Sequence, residues 1–141
     1  MNIVVSQRSS FECAYLVNDN KDYILNSHNY KVEVSVEGPQ QLEDHGFVIE
    51  FKTLKKLLDK CLPDHTFLYD KSDTNQELLK LDFESIYVPV LGLSKVCAES
   101  IVKYIGENLQ ESLYKLYPGI IIQELKLRET ADSFVVWKPE R

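Results

Sequence analysis

The stretch Tyr30-Lys31-Val32-Glu33-Val34-Ser35-Val36-Glu37-Gly38 alternates strictly between apolar and polar side chains and decides how the opening third of the chain folds. A side-chain period of two places Val32, Val34 and Val36 on one face of a β-strand and the polar residues on the other. Residues 2–17 are also β-rich, and residues 18–22 between the two stretches have turn chemistry. These features predict an antiparallel hairpin whose second strand has one face that is either wet or lines a polar interior.

Two amphipathic helices are predicted after this hairpin. The first ends before Pro63, and its apolar side chains recur at helical spacing: Phe51, Leu54, Leu57, Leu58 and Cys61. The second spans about residues 95–116 and is broken by Pro118-Gly119. Between them, residues 72–81 are polar and helix-capable, and residues 85–90 are predicted to form a short strand.

A second hairpin is predicted from residues 120–127 and 134–137, with a turn at Thr130-Ala131-Asp132. The order strand-strand, helix, helix, strand-strand predicts an α+β fold, with a four-stranded antiparallel sheet and two helices on one face. We expect one domain over residues 1–141. The second face of such a sheet is covered by a partner subunit or by closure into a barrel, so self-association is expected.

The composition of the chain limits the classes of binding partner and the cellular compartment that we expect. The net charge of −6 argues against nucleic acid as a partner, which requires a basic face. No apolar run approaches the roughly 20 residues that span a bilayer, and the first residues lack a signal-peptide layout. Three widely spaced cysteines suit a reduced protein whose thiols are small buried side chains. We therefore expect a cytoplasmic protein without a membrane partner.

Six short motifs occur in an order and spacing that resemble a known family. They are Phe11-Glu12-Cys13-Ala14-Tyr15, Asn26-Ser27-His28-Asn29-Tyr30, Gly46-Phe47-Val48-Ile49-Glu50-Phe51, Pro63-Asp64-His65-Thr66-Phe67-Leu68, Val96-Cys97-Ala98-Glu99-Ser100 and Arg128-Glu129-Thr130. Together they resemble the 6-pyruvoyltetrahydropterin synthase and 6-carboxytetrahydropterin synthase family of tunnelling-fold proteins. The resemblance implies trimers that close their sheets into a barrel, stack into homohexamers and bind a pterin between subunits.

The resemblance also implies roles for the matching residues. Glu129 is expected to anchor the pterin, with Thr130, Cys97 and Glu99 in the same substrate-binding region. A carboxylate suits this role because it can accept two hydrogen bonds from the N–H and amino edge of a pterin or guanine ring. Asp64 and His65 are the expected acid/base pair, in which a neighbouring carboxylate orients an imidazole.

The metal half of the family's pocket is altered in this sequence. Only His28 remains at a zinc-ligand position, because the two other expected ligands fall on Tyr15 and Asn26. The expected nucleophilic or proton-shuttling cysteine falls on Asp22, which is first of all a turn residue. Catalytic zinc requires three protein ligands, and asparagine or a neutral phenol is a poor one. Zinc is therefore disfavoured as a cofactor, and no other cofactor is expected.

Three functional hypotheses follow. The first is a divergent pterin-forming lyase, nominally a 6-carboxytetrahydropterin synthase, acting on dihydroneopterin triphosphate or a related pterin in the tetrahydrobiopterin or queuosine pathway. The second is a non-catalytic paralogue that binds a pterin or purine or serves as an oligomeric shell. The third is a metal-free enzyme like dihydroneopterin aldolase or epimerase, with Tyr15 and His65 as acid/base groups. Whether turnover occurs is left open, and in the alternative reading Tyr15 only fills the space left by the metal.

Overall fold

A computed structural model describes residues 3–19, 22–38, 46, 48–70, 90–93 and 96–140. Within these residues the chain forms strands and helices in the following order: β1 Val4–Asp19, β2 Asp22–Glu37, α1 Phe51–Cys61, β3 Thr66–Asp70, β4 Val90–Leu93, α2 Ala98–Leu116, β5 Ile121–Arg128 and β6 Phe134–Trp137. Neither described helix is long and apolar enough to cross a membrane.

The strands form one sheet in the order β4-β3-β1-β2-β5-β6. The pairs β1–β2, β2–β5 and β5–β6 are antiparallel, which confirms the predicted four-stranded antiparallel sheet. The short strands β3 and β4 extend it in parallel on the far side of β1, which the sequence pattern did not predict. The described pairing of β3 with β1 spans only three residue pairs, too short a run for a period of two to be recognised.

The first hairpin is longer than predicted, because β2 begins at Asp22 and not at residue 30. Its register pairs Phe11 with Tyr30, Cys13 with His28 and Tyr15 with Asn26. Residues 22–29 do not alternate between apolar and polar types, so they carry no strand signal of their own. They are nevertheless paired with β1 along their whole length, and His28 belongs to the candidate site described below.

The hydrophobic core lies between the sheet and the two described helices. Val32, Val34 and Val36 are buried, as the alternation predicted. The α1 helix has the predicted bounds, but Phe51, its first residue, is 63% exposed and does not belong to the apolar face. The α2 helix starts at Ala98 and not near residue 95, since Cys97 is its N-cap. Residues 72–81 and 85–89, predicted as a helix-capable segment and most of a strand, lie outside the described residues.

Gly106 allows β6 to pack tightly against α2. It is buried in the middle of the helix, and a Cβ atom placed there would come closer than 3.0 Å to three indole ring atoms of Trp137. Glycine normally weakens a helix interior by about 1 kcal/mol relative to alanine. Here the missing side chain is the space that the indole ring occupies.

We therefore predict that Gly106→Ala destabilises the protein. The overlap with a rigid ring should outweigh the gain in helix propensity and lower the free energy of unfolding by about 1–3 kcal/mol, the usual range for overpacking. Urea unfolding followed by circular dichroism measures this change. Gln110→Ala on the exposed side of α2 is the matched control, and Gly106→Ala combined with Trp137→Ala should relieve the overlap. A Gly106→Ala protein as stable as wild type would contradict the prediction.

Candidate functional site

Four stacked or tilted rings lie on the helix-side face of the first hairpin, and we call them the ring ladder: Phe11, Tyr15, His28 and Tyr30. Phe11 and Tyr30, which are directly opposite in the register, stack with ring centroids 5.2 Å apart. Tyr15 stacks nearly parallel to His28, with centroids 5.4 Å apart and an interplanar angle of 13°. The His28 and Tyr30 rings are 5.8 Å apart and tilted by 44°. Contacts of this kind each contribute about 0.5–1.5 kcal/mol beyond area burial, so the ladder gives this end of the hairpin a defined shape.

Glu129 reaches the ladder from the end of β5. Its Oε1 lies 3.5 Å from Nε2 of His28, and each side chain is about one-third exposed. The turn after β5 holds this position, because the backbone N–H of Glu129 donates to the carbonyl of Ser133 at 3.1 Å. The surviving histidine of the metal motif is therefore in contact with the expected pterin anchor.

A cavity of about 460 Å³ opens beside this contact. That volume falls within the range of small-molecule sites. Residues from the hairpin, the start of α2 and the end of β5 line it, including Tyr15, Tyr30, Cys97, Glu99, Leu127 and Glu129. Four side chains assigned from the sequence therefore meet in one cavity. Tyr30 was missed, although its place two residues after His28 on the same strand face could have revealed it.

Thr130, expected beside the anchor, has a different role in the structure. Its Oγ1 accepts hydrogen bonds from the backbone N–H groups of Asp132 and Ser133, at 3.3 and 3.1 Å. Its own N–H donates to the carbonyl of Ser133 at 3.4 Å, and the residue is exposed. Thr130 closes the β5–β6 turn and so fixes the position of Glu129 without lining the cavity.

Asp64 and His65 form a pair, but the structure does not place them in the lining of this cavity. Asp64 Oδ1 accepts the backbone N–H of Glu12 at 3.0 Å and lies 3.0 Å from Nδ1 of His65. The His65 side chain is 76% exposed, and its backbone has a positive φ of 53°. With Nδ1 directed at Asp64, the imidazole presents its other nitrogen on an exposed ring.

Cys13 is buried near both predicted carboxylates. Burial, and then the charges of Asp64 and Glu129, raise the pKa of its thiol to about 12. The side chain is 1% exposed, so Cys13 is a neutral packing group at physiological pH and no substitute for the family's cysteine. Burial likewise raises the pKa of Cys61. Both thiols agree with the expectation of small buried cysteines, whereas Cys97 is half-buried and lines the cavity.

The phenol of Tyr15 is also kept protonated. Burial and the charge of Glu129 raise its pKa, and a hydrogen bond from the Tyr30 hydroxyl opposes this shift only in part. A phenol shuttles protons readily when its pKa is lowered, as the metal-free hypothesis would require of Tyr15, and the structure gives the opposite direction. Tyr15 can donate a proton to a ligand, but a raised pKa makes it a poor general base.

The residues at the metal locus do not fit a zinc ion. Nε2 of His28 lies against Glu129, and the Tyr15 ring is stacked on the imidazole. Tyr15 is a neutral phenol, and no set of three His, Cys, Asp or Glu side chains in the described part of the chain is arranged to hold a metal. Asn26 and Asp22 are described only as β2 backbone positions, opposite Tyr15 and Asp19, so their proposed site roles are not placed by the structure.

Fold and site together define an α+β subunit with a carboxylate at the end of β5 facing a cavity beside the first hairpin. The family model described as 6-pyruvoyl tetrahydropterin synthase matches residues 4–140. The chain belongs to the 6-pyruvoyl tetrahydropterin synthase family. Membership supports a synthase-like function in pterin metabolism.

Individual relatives agree with this assignment. The 6-carboxy-5,6,7,8-tetrahydropterin synthase of Haemophilus influenzae is 28% identical over 92% of this chain and 94% of its own. That of Bacillus subtilis is 30% identical over 83% of this chain and 70% of its own. Among solved structures, Plasmodium falciparum 6-pyruvoyl tetrahydropterin synthase has a TM-score of 0.70 at 25% identity, covering 96% of both chains. An uncharacterized Wolinella succinogenes protein has a TM-score of 0.75 at 21% identity, covering 99% of both.

Proposed function

We propose that this chain is a divergent 6-carboxytetrahydropterin or 6-pyruvoyltetrahydropterin synthase-like protein that binds a pterin in the cavity at Glu129. The observation that carries the proposal is the position of that carboxylate: it lies at the cavity wall, 3.5 Å from His28, on a turn held by Thr130 and Ser133. Two hydrogen bonds from the N–H and amino edge of a pterin to one carboxylate are paired and charge-assisted. Tyr15, a protonated phenol in the same cavity, supplies a donor to the ligand.

The proposed protein works without zinc. The one remaining imidazole of the metal motif contacts Glu129, and the phenol at a second ligand position packs against that imidazole. In this arrangement His28 positions the anchor carboxylate, and the ring ladder shapes the cavity. The proposal covers binding of a pterin or a dihydroneopterin triphosphate-like ligand, with lyase turnover as a separate question.

We further propose that the complete pocket forms between subunits of a trimer or hexamer. Asp64 and His65 are paired but absent from the lining of the cavity at Glu129, and His65 is largely exposed. An exposed acid/base pair of this kind is available to the cavity of a second copy. Edge strands that are left open in one subunit also favour closure of the sheet by self-association.

Non-catalytic binding is the second candidate, and two observations favour it. The buried thiol in this region, Cys13, is neutral because its pKa is about 12, and zinc does not fit the residues of the metal locus. The nucleophile and the Lewis acid of the family's chemistry therefore both lack an equivalent among the described residues. The aldolase-like alternative is weaker, since the raised pKa of Tyr15 opposes the role of base.

Thermal unfolding with added ligand tests the proposal. We expect neopterin, and guanine more weakly, to raise the melting temperature, because a ligand at about 100 times its Kd stabilises the folded state by about 2.7 kcal/mol. Adenine is the matched control, since it lacks the adjacent N–H and amino donors that a carboxylate reads. No shift with neopterin, or an equal shift with adenine, would contradict pterin binding. Incubation with dihydroneopterin triphosphate, followed by product analysis, then separates synthase from binding protein.

A further inference from the structure

The outer side of the α1 helix is strongly basic. Its apolar side chains are buried against the core: Leu54, Leu57, Leu58 and Cys61. The opposite side carries four lysines and one aspartate, all exposed: Lys52, Lys55, Lys56, Asp59 and Lys60. The helix therefore has a net charge of +3, although the whole chain has a net charge of −6.

Three of these lysines are left without a carboxylate. Lys55 Nζ lies 2.8 Å from Oδ2 of Asp59, one turn further along the helix. Lys52, Lys56 and Lys60 form no salt bridge with any residue that the structure describes. They follow one another at intervals of four residues, so their side chains lie in one row. We call this row the lysine stripe, and its members are about 6 Å apart along the helix axis.

The lysine stripe does not help α1 to form. Like charges four residues apart repel each other and weaken a helix. Lys52 lies in the first turn, which contains no acidic residue, and a cation there opposes the positive end of the helix dipole. Only Lys60, in the last turn, is placed favourably for the dipole. Solubility does not require these lysines either, because a net charge of −6 already makes copies of the chain repel each other. Their positions therefore point to a contact outside the chain.

The surface at each end of the lysine stripe offers a further contact. At the first end, the side chain of Phe51 is exposed, and aromatic rings are enriched in protein interfaces. At the other end, Lys60 lines a cavity of about 300 Å³ between α1 and α2. Two further charged residues line this cavity, Glu111 and Lys115, and they are paired with each other at 2.9 Å. Lys60 is therefore the uncompensated charge among the described residues of the lining.

We propose that the lysine stripe is a docking surface for an acidic segment of a partner protein, in which carboxylates alternate with other residues. Alternate residues of an extended chain are about 6.8 Å apart, close to the step of about 6 Å along the stripe. An extended segment therefore places one carboxylate at each lysine. Exposed ion pairs are individually weak, so the affinity is modest and depends on the number of pairs. The surface lies on the outer side of α1, so it does not rest on the proposed pterin binding.

Two other anionic partners fit this surface less well. An amphipathic helix binds a membrane by inserting its apolar face, but that face of α1 is buried in the core and leaves only Phe51 to insert. A nucleic acid extends beyond a helix of 11 residues and meets the negative charge of the rest of the chain. A short acidic protein segment needs only the stripe itself.

Fluorescence anisotropy with labelled peptides at low salt tests the docking surface. The first peptide alternates glutamate with serine, and the second has the same composition with its glutamates in one block. We expect the alternating peptide to bind at least about threefold more tightly, because only its spacing matches the stripe. Lys52→Gln with Lys56→Gln should raise its Kd about fivefold or more. Lys31→Gln with Lys126→Gln removes the same charge from the sheet and should change the Kd less than about twofold, since distant surface charges are screened.

Thermal unfolding without peptide gives an independent readout. Lys52→Gln with Lys56→Gln should raise the melting temperature, because it removes like charges and an opposed dipole while glutamine has nearly the helix propensity of lysine. A lower melting temperature would assign these lysines a structural role and overturn the proposal.

The binding experiments can overturn it in three further ways. The first is that the wild-type protein binds neither peptide, or binds both equally. The second is that both double variants lose affinity equally. The third is that the surface serves another contact: binding of phosphatidylserine vesicles in place of the peptide would indicate a membrane, and a changed sedimentation mass of Lys52→Gln with Lys56→Gln would indicate a second copy of this chain.

Discussion

Glu129→Ala is expected to abolish the neopterin-dependent stabilisation of this protein. The substitution removes both acceptor oxygens that we propose hold the ring edge, and hydrogen bonds to a charged group contribute about 1.5–3 kcal/mol each. Loss of two such bonds lowers the affinity by about 100-fold or more. Isothermal titration calorimetry with neopterin measures the loss directly, and thermal unfolding shows it as a missing shift in melting temperature.

Two further variants make this result specific. Glu124→Ala removes a carboxylate from the same strand in the row of Ser35, away from the cavity, and should bind neopterin like the wild type. Glu129→Gln keeps one acceptor oxygen and should fall between wild type and Glu129→Ala. Glu129 is partly exposed, so each variant is expected to fold, which circular dichroism checks. Undiminished neopterin binding by Glu129→Ala would show that groups other than the Glu129 carboxylate bind the ligand.

The double substitution Tyr15→His with Asn26→His is expected to create a zinc site. The register places residues 15 and 26 opposite each other on β1 and β2, and His28 follows two residues later on the same strand face. Three imidazoles with one open position match the ligand set of catalytic zinc. We expect close to one zinc per chain after dialysis against the metal, and far less in wild type, as measured by elemental analysis.

The dependence on each imidazole provides the control. Adding His28→Ala to the double variant should remove the zinc, because two histidines do not make a tight site. A chelator should lower the melting temperature of the double variant and leave that of the wild type unchanged, since metal binding to the folded state adds to its stability. Stoichiometric zinc in the wild-type protein would overturn the assignment of a metal-free pocket, and a metal-free double variant would show that more than the ligands has diverged.

These two predictions treat the pocket as two separable halves. The carboxylate half, with Glu129 on its turn, holds the group that we propose binds the pterin edge. In the half that corresponds to the metal motif, the ring of Tyr15 is stacked on that of His28, and His28 lies against Glu129. A protein with this arrangement can bind without turnover, so substrate binding and product formation have to be measured separately.

Much of the scaffold could be predicted because its signals are periodic. The alternation over residues 30–38 and the helical spacing of Leu54, Leu57 and Leu58 reflect burial against a common core, which selects apolar side chains at fixed intervals. Prediction was wrong at the start of β2, at Phe51 and at the parallel strands beside β1. The first residues of β2 do not alternate between apolar and polar types, and the core does not cover Phe51 at the start of α1, so neither position carries a burial pattern.

The candidate site was predictable residue by residue only where a short motif was present. The motifs indicated Glu129, Cys97, Glu99 and Tyr15, and the structure brings these four to one cavity. Their contacts were not predictable, because the distance between His28 and Glu129 depends on the register of β2 against β5. The same applies to Thr130, whose hydroxyl closes the turn and does not line the cavity.

The amino-acid sequence by itself determined the fold class and the loss of two metal ligands, since both follow from which side chains occur at which spacing. Only the tertiary structure decided that the remaining histidine contacts Glu129 and that Asp64 and His65 do not line the cavity beside this contact. The physical reason is that burial selects residue types along the chain, whereas charge and hydrogen bonding depend on distances between residues far apart in it. The family resemblance places a metal at Tyr15, Asn26 and His28, and in the structure the ring of Tyr15 is stacked on that of His28.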